Sequence, residues 1–310
     1  MKHITHLVFS GNALKSIFLC GVLRYLYCYN LDRNIHDVAG TSMGAFFALA
    51  FALKIPIDKL ENMCYRMAKD DSITKFKPND IINIIENYGL CCSIEYLKEF
   101  RNYIKEIYEQ EDLSFLELSK KTGVNIYIST TRVNTGDNVI FNVNDTPNVS
   151  VLDAVAASMC LPLISKPIII DGYYYIDGYL TNNFPYDIFT NMNVPVDNIL
   201  GIACNLKNGF KLKSFNKGDE LSILEYYFNI GIIYNENTFK LCYLNKINDF
   251  KDILIVDTNY IKGVYNYDFD NNCIDISLTE TELNNLFLTG YKAIHDYMNN
   301  HLEKKEELQQ

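Results

Sequence analysis

The chain has 310 residues, 48% hydrophobic and 21% charged, so it carries enough apolar material for one large core or two small ones. Its formal net charge of −10 excludes a general nucleic-acid binder, because phosphate contacts need a basic face. Nine cysteines, an odd number with no C-x-x-C pair and mostly inside apolar runs, argue for reduced, buried thiols in an intracellular protein.

The first residues show no long apolar stretch followed by a small-residue cleavage site, so no signal peptide is expected. The apolar run at 44–53 is too short to cross a bilayer, and a soluble, cytoplasmic chain is the expectation. In chain order, THLVFSG at 5–11 is a short β-rich run ending in glycine. Leu14, Ile17, Phe18, Leu19, Val22, Leu23 and Leu26 then follow helical spacing. DVAG at 37–40 predicts a short strand. MGAFFALAFALKIP at 43–56 predicts a helix apolar on all sides, hence buried, stopped before Pro56. Asp58 with Glu61 three residues on has capping-box spacing for the next helix, whose apolar face is Leu60, Met63, Cys64 and Met67. Helices are predicted at 79–87, 93–109, 114–121 and 150–159, the last capped by Ser150, and strands at 125–131, 138–142 and 198–205. Beyond 205 the character changes. A loop at 206–218 precedes a long helical stretch at 220–247, a strand DILIVDT and a helix capped near Thr279. Strands alternating with helices indicate an α/β sheet.

Gly40-Thr41-Ser42-Met43-Gly44 is a G-x-S-x-G set between a strand and a helix. That context is what a nucleophile elbow requires. The serine sits on a strained turn, the flanking glycines allow close approach, and the helix N-terminus points free N–H groups at a developing oxyanion. A serine needs a base, and the histidines are His3, His6, His36, His295 and His301. None falls in a convincing position, which directs attention to the aspartates. Asp171-Gly172 lies between two β-rich runs and reads as a type I′ hairpin turn. Asp177-Gly178 ends the second run and is followed by a polar loop and Pro185, so its carboxylate is placed for a site. No spacing of His and Asp forms a recognisable ligand set, so neither a metal nor a cofactor is expected.

These residues resemble the patatin-like phospholipases. DVAGTSMGAFFAL matches their nucleophile segment, FLCGVLRYL the helix after their oxyanion loop, and AVAASMCLPLISKPIIIDGYYYIDGYLTNNFP the segment around their aspartate, including Ser158, Pro162 and Pro167. The resemblance covers about residues 5–205. It implies a three-layer α/β/α sandwich with a mainly parallel central sheet. It also implies a Ser42 nucleophile with Asp177 as its base, working through an acyl-enzyme, and an oxyanion hole at Gly11, Asn12 and Ala13. The loop here reads GNALKS where the family has G-G-G-x-[KR]-G, and Tyr179 stands where glycine or alanine is usual. Asn12 tolerates a left-handed φ better than Ala13 does. The organisation expected is one patatin-like domain over 1–310, with a motif-bearing core at 5–205 and a C-terminal helical extension at 206–310 packed on it. The activity expected is a phospholipase A-type lipid acyl hydrolase, with a phospholipid or other lipid ester as substrate. Two rival readings stay open: a Ser–Asp–His triad esterase using His295, and a catalytically silent lipid-binding or regulatory protein. Lys207, Lys211, Lys213 and Lys217 interleave with Phe210, Leu212 and Phe215, which reads either as a peripheral membrane patch or as a solvated loop.

Overall fold

In a computed structural model of the chain, residues 4–76, 86, 88–205, 253–258, 266–268, 273–275 and 277–307 are described. The expected helix at 79–87, apart from residue 86, the expected helix at 220–247 and the lysine-rich loop at 206–218 lie outside these residues. Among the described residues the centre is an eight-stranded sheet. Its strands are β1 (His6–Phe9), β2 (Asp37–Thr41), β3 (Asn125–Arg132), β4 (Asn138–Phe141), β5 (Ile168–Ile170), β6 (Tyr173–Asp177), β7 (Ile199–Asn205) and β8 (Ile253–Asp257). Their spatial order is β8-β7-β1-β2-β3-β6-β5, with β4 also on β3. The pairings from β8 through β3 are parallel, and those made by β4, β5 and β6 are antiparallel.

Period-two alternation sends side chains to the two faces. Leu7, Phe9, Val38, Ile126, Ile128, Leu200 and Ile202 enter the larger core, while Val8, Ala39, Tyr127, Ile199 and Ala203 enter a smaller one opposite. The larger face is covered by α1 (Phe18–Cys28), α2 (Met43–Ala52), α3 (Ile57–Lys69), α4 (Lys98–Tyr108), α5 (Phe115–Thr122) and α6 (Val151–Ser158). The smaller face is covered by the segment with α7 (Tyr179–Asn182) and α8 (Asp187–Asn191), through Phe184, Tyr186 and Phe189. The result is a central sheet with helices on both sides. Every residue of α2 is buried, as its all-round apolar sequence requires.

Two local expectations change. The helix expected from Leu14 onward opens as a 3-10 turn, Ala13–Ile17, before α1 begins at Phe18. Asp58 and Glu61 do not cap α3, which starts after Pro56 without a side-chain cap. Both carboxylates instead take the Arg24 guanidinium of α1, Glu61 through Nε and Nη2 at 2.9 and 2.8 Å and Asp58 at 2.9 Å. A salt bridge across two helices won over a local cap. The expected caps at Ser150 and Thr279 form, as does a full capping box at Ser114 and Glu117.

The C-terminal helix α9 (Glu280–Glu307) lies along α1. A Cβ on Gly21 would meet Phe287 O at 1.9 Å, and one on Gly290 would meet Phe18 O at 1.8 Å. The two backbones therefore touch at a glycine notch on each helix.

Candidate active site

β2 ends at Thr41, and Ser42 turns the chain into α2 with φ 55° and ψ −127°. A left-handed φ on a non-glycine residue costs on the order of 1–3 kcal/mol and persists only where its surroundings hold it. Here the Ser42 N–H donates to Ser158 Oγ at 2.8 Å, and Ser158 Oγ donates to Ser129 O at 2.6 Å. The glycines on either side permit the crowding. A Cβ on Gly40 would meet Gly44 O at 2.3 Å, and one on Gly44 would meet Phe9 O at 2.4 Å.

The two Asp-Gly pairs separate cleanly. Asp171 and Gly172 have φ of 50° and 80°, the positive pair a type I′ turn demands, and they join β5 to β6 in open solvent. Asp177 ends β6 wholly buried. Its Oδ2 accepts from Ser42 Oγ at 2.7 Å and its Oδ1 accepts from the Tyr179 N–H at 2.9 Å. Burial pushes this carboxyl up to about 7, against the two hydrogen bonds, which favour the charged form. A serine hydroxyl donating to a carboxylate whose pKa is near neutrality is equipped for proton transfer.

No histidine among the described residues hydrogen-bonds to Ser42 or Asp177. His295 lies on α9 with its side chain 44% exposed, beside Asp296 and Asn299 and edge-on to Tyr25. The triad reading therefore has no geometric support.

The loop after β1 differs from the sequence expectation. Asn12 is extended at φ −162°, and the positive φ, 43°, falls on Ala13. The Asn12 side chain turns away, donating to Cys204 Sγ at 2.7 Å. Gly11 is needed for space, not for φ: a Cβ there would meet Asn183 Oδ1 at 2.6 Å, Ser42 Cβ at 2.8 Å and Thr41 O at 2.9 Å. The Gly11 N–H is engaged by Asn183 O at 3.3 Å, and Asn183 Nδ2 donates back to Gly11 O at 3.0 Å. Asn183 thus clasps the loop from the far side of the site. The N–H groups of Asn12, the N-cap, and Ala13, the first residue of the 3-10 turn, stand where a helix provides no internal partner. Lys15, the basic residue of this loop, is buried, and desolvation lowers its amine pKa.

Beside Ser42 opens a narrow apolar cavity of about 50 Å³, walled by Leu14, Met43, Met67, Tyr96, Met159 and Leu161. A larger cleft, about 460 Å³ and lined by Tyr27, Arg33 and Lys54, contains none of these residues. Ser158 stands in the sequence analysis only as part of the family match, without a role, and Ser129 and Asn183 are not singled out there. Asn183 stands two residues before Pro185, which was the available signal; nothing local marks Ser129.

A sheet parallel at its centre, layered by helices and carrying a strained serine between its second strand and the next helix, defines a class of α/β protein. The chain belongs to the patatin-like phospholipase family, whose sequence profile matches residues 7–190. It is 29% identical over 193 residues to "Probable lipid hydrolase 463L" of Invertebrate iridescent virus 6, covering 60% of this chain and 63% of that one. It is 25% identical over 203 residues to "Uncharacterized protein R571" of Acanthamoeba polyphaga mimivirus, covering 65% and 66%. The chain thus spans slightly less than two thirds of each relative. The crystal structure of VipD from Legionella pneumophila superposes with a TM-score of 0.56 at 15% identity, covering 96% of this chain and 67% of VipD. The type III effector ExoU of Pseudomonas aeruginosa gives 0.52 at 13%, covering 96% and 53%. Both share this fold. Among the described residues no helix is long and apolar enough to cross a membrane.

Proposed function

We propose that the protein is a lipid acyl hydrolase of phospholipase A type, in which Ser42 and Asp177 form a catalytic dyad without histidine. The observation that carries this reading is the 2.7 Å hydrogen bond from Ser42 Oγ to a buried carboxylate that has no cationic partner among the described residues. Family membership and the viral lipid-hydrolase relative support the substrate class. As Ser42 Oγ attacks an ester carbonyl, Asp177 takes its proton and a tetrahedral oxyanion forms. The N–H groups of Asn12, Ala13 and Met43 receive that charge; Gly11 holds the loop in place through Asn183. The protonated Asp177 returns its proton to the departing alcohol, leaving an acyl-Ser42. Water, deprotonated by the same carboxylate, then releases the fatty acid.

The apolar cavity beside Ser42 takes the start of the acyl chain. Residues 1–310 form one patatin-like domain, the C-terminal extension docking on the core through α9. Contact with the membrane surface is peripheral. The test is fatty-acid release from phosphatidylcholine vesicles by wild type and Ser42→Ala. Release by wild type alone supports the reading. Vesicle binding without release by either protein would instead make this a lipid-binding protein.

A further inference from the structure

The structure assigns a transition-metal site of zinc type to His6, His36 and Asp37, at the end of the sheet opposite Ser42. Nothing in the linear spacing of these residues suggests a ligand set, because the site is assembled by strand register. β1 and β2 pair in parallel with His6 opposite Asp37, and β2 and β3 pair with Asp37 opposite Asn125. The three residues form a row across the amino ends of adjacent strands, and His36 immediately precedes Asp37. Ser42 follows the carboxyl end of the same strand β2, roughly 16 Å of extended chain away.

The donor atoms converge. His6 Nε2 lies 3.4 Å from Asp37 Oδ2, and His36 Nδ1 makes a direct hydrogen bond to the same oxygen, a contact that opens when a metal ion takes both atoms. All three donors lie within 4.8 Å of one another. Zinc bonds of 2.0–2.2 Å in a tetrahedron place neighbouring ligand atoms about 3.3–3.5 Å apart, so the His6–Asp37 edge already has the required length. Hydrogen bonding alone explains that edge poorly. With its proton on Nδ1, donated to Thr5 Oγ1 at 2.7 Å, His6 turns a lone pair toward a carboxylate. With its proton on Nε2, it makes a bond stretched beyond the normal range of 2.7–3.2 Å. A cation between the two atoms satisfies both.

The outer contacts are those of a metal site. Thr5 Oγ1 fixes the His6 ring, and the Asp37 carboxylate accepts from Asn125 Nδ2 at Oδ1, 2.9 Å away, and from the Tyr127 hydroxyl. The Phe189 ring packs edge-on to His6 at 4.6 Å and limits its motion. The His6 and Asp37 side chains are each 11% exposed, while that of His36 is 53% exposed. Two ligands are therefore anchored and the third is a surface arm that can swing to open the site for loading. Two imidazoles with one carboxylate select zinc, cobalt or nickel over calcium or magnesium, which take all-oxygen shells. Three protein ligands leave a fourth position for water or a small anion.

The test is titration of the chelator-treated full-length chain with Zn²⁺ by calorimetry, and with Co²⁺ by visible absorption. One equivalent is expected to bind, to raise the melting temperature, and to give a cobalt spectrum without a thiolate charge-transfer band. His36→Ala, at an exposed position, should fold normally and weaken binding by more than about tenfold. Ser42→Ala should bind metal as wild type does, which separates this site from the catalytic reading. Absence of stoichiometric binding, equal binding by His36→Ala, or a thiolate band reporting the cysteines would each overturn the assignment.

Discussion

At the scale of single residues, the proposed chemistry rests on Ser42, Asp177 and the cost of burying a carboxylate. Ser42→Ala removes the nucleophile and Asp177→Asn the base, so each is expected to abolish ester hydrolysis while circular dichroism shows the fold intact. Asp171→Asn should be nearly silent in the same assay, because Asn-Gly makes the same type I′ turn. With Asp177 pushed up to about 7, activity is expected to rise with pH through that value as the base ionises, read from a pH–rate profile. The stability consequence has the opposite sign. An ordinary aspartate titrates near 3.8, so between about 4 and 7 the folded chain keeps a proton that the unfolded chain has lost. Stability therefore falls as pH rises across that window, by up to the order of 4 kcal/mol. Asp177→Asn, which carries no charge to bury, should raise the melting temperature at pH 8 and do so much less at pH 5.

At the scale of elements, the loop between β1 and α1 and the elbow after β2 hold each other. Gly11→Val places side-chain atoms against Asn183, Ser42 and Thr41, and should displace the loop from the elbow. If an oxyanion donor is lost with it, the cost is about 2.7–4 kcal/mol in turnover on a short-chain ester. Ala13→Gly should retain activity and gain a little thermal stability, because glycine relieves the positive φ of 43°. Local sequence carried what local geometry decides: the type I′ turn at Asp171-Gly172, the serine and threonine caps, and the all-apolar α2. It did not carry which loop residue takes the left-handed φ, since Asn12 is held extended by a distant contact to Cys204. Nor did it carry the fate of Asp58 and Glu61, whose partner Arg24 lies on another helix. Ser158 and Asn183 act across more than a hundred residues of chain, a separation that no spacing rule registers.

At the scale of the whole molecule, the proposed catalytic serine and aspartate converge at one end of the sheet, and the histidine–aspartate cluster proposed to take a metal lies at the other. The C-terminal helix closes on the core where Gly21 of α1 meets Phe287 and Gly290 meets Phe18. Gly290→Ala puts a Cβ into backbone and should cost about 1–3 kcal/mol in denaturant unfolding. The most direct test of a histidine-independent dyad is labelling with a fluorophosphonate, which reacts only with an activated serine, followed by mapping of the modified residue in wild type, Asp177→Asn and His295→Ala. Labelling at Ser42 in wild type and His295→Ala, and its loss in Asp177→Asn, is the expected result. An unlabelled wild type, or undiminished labelling of Asp177→Asn, would contradict it.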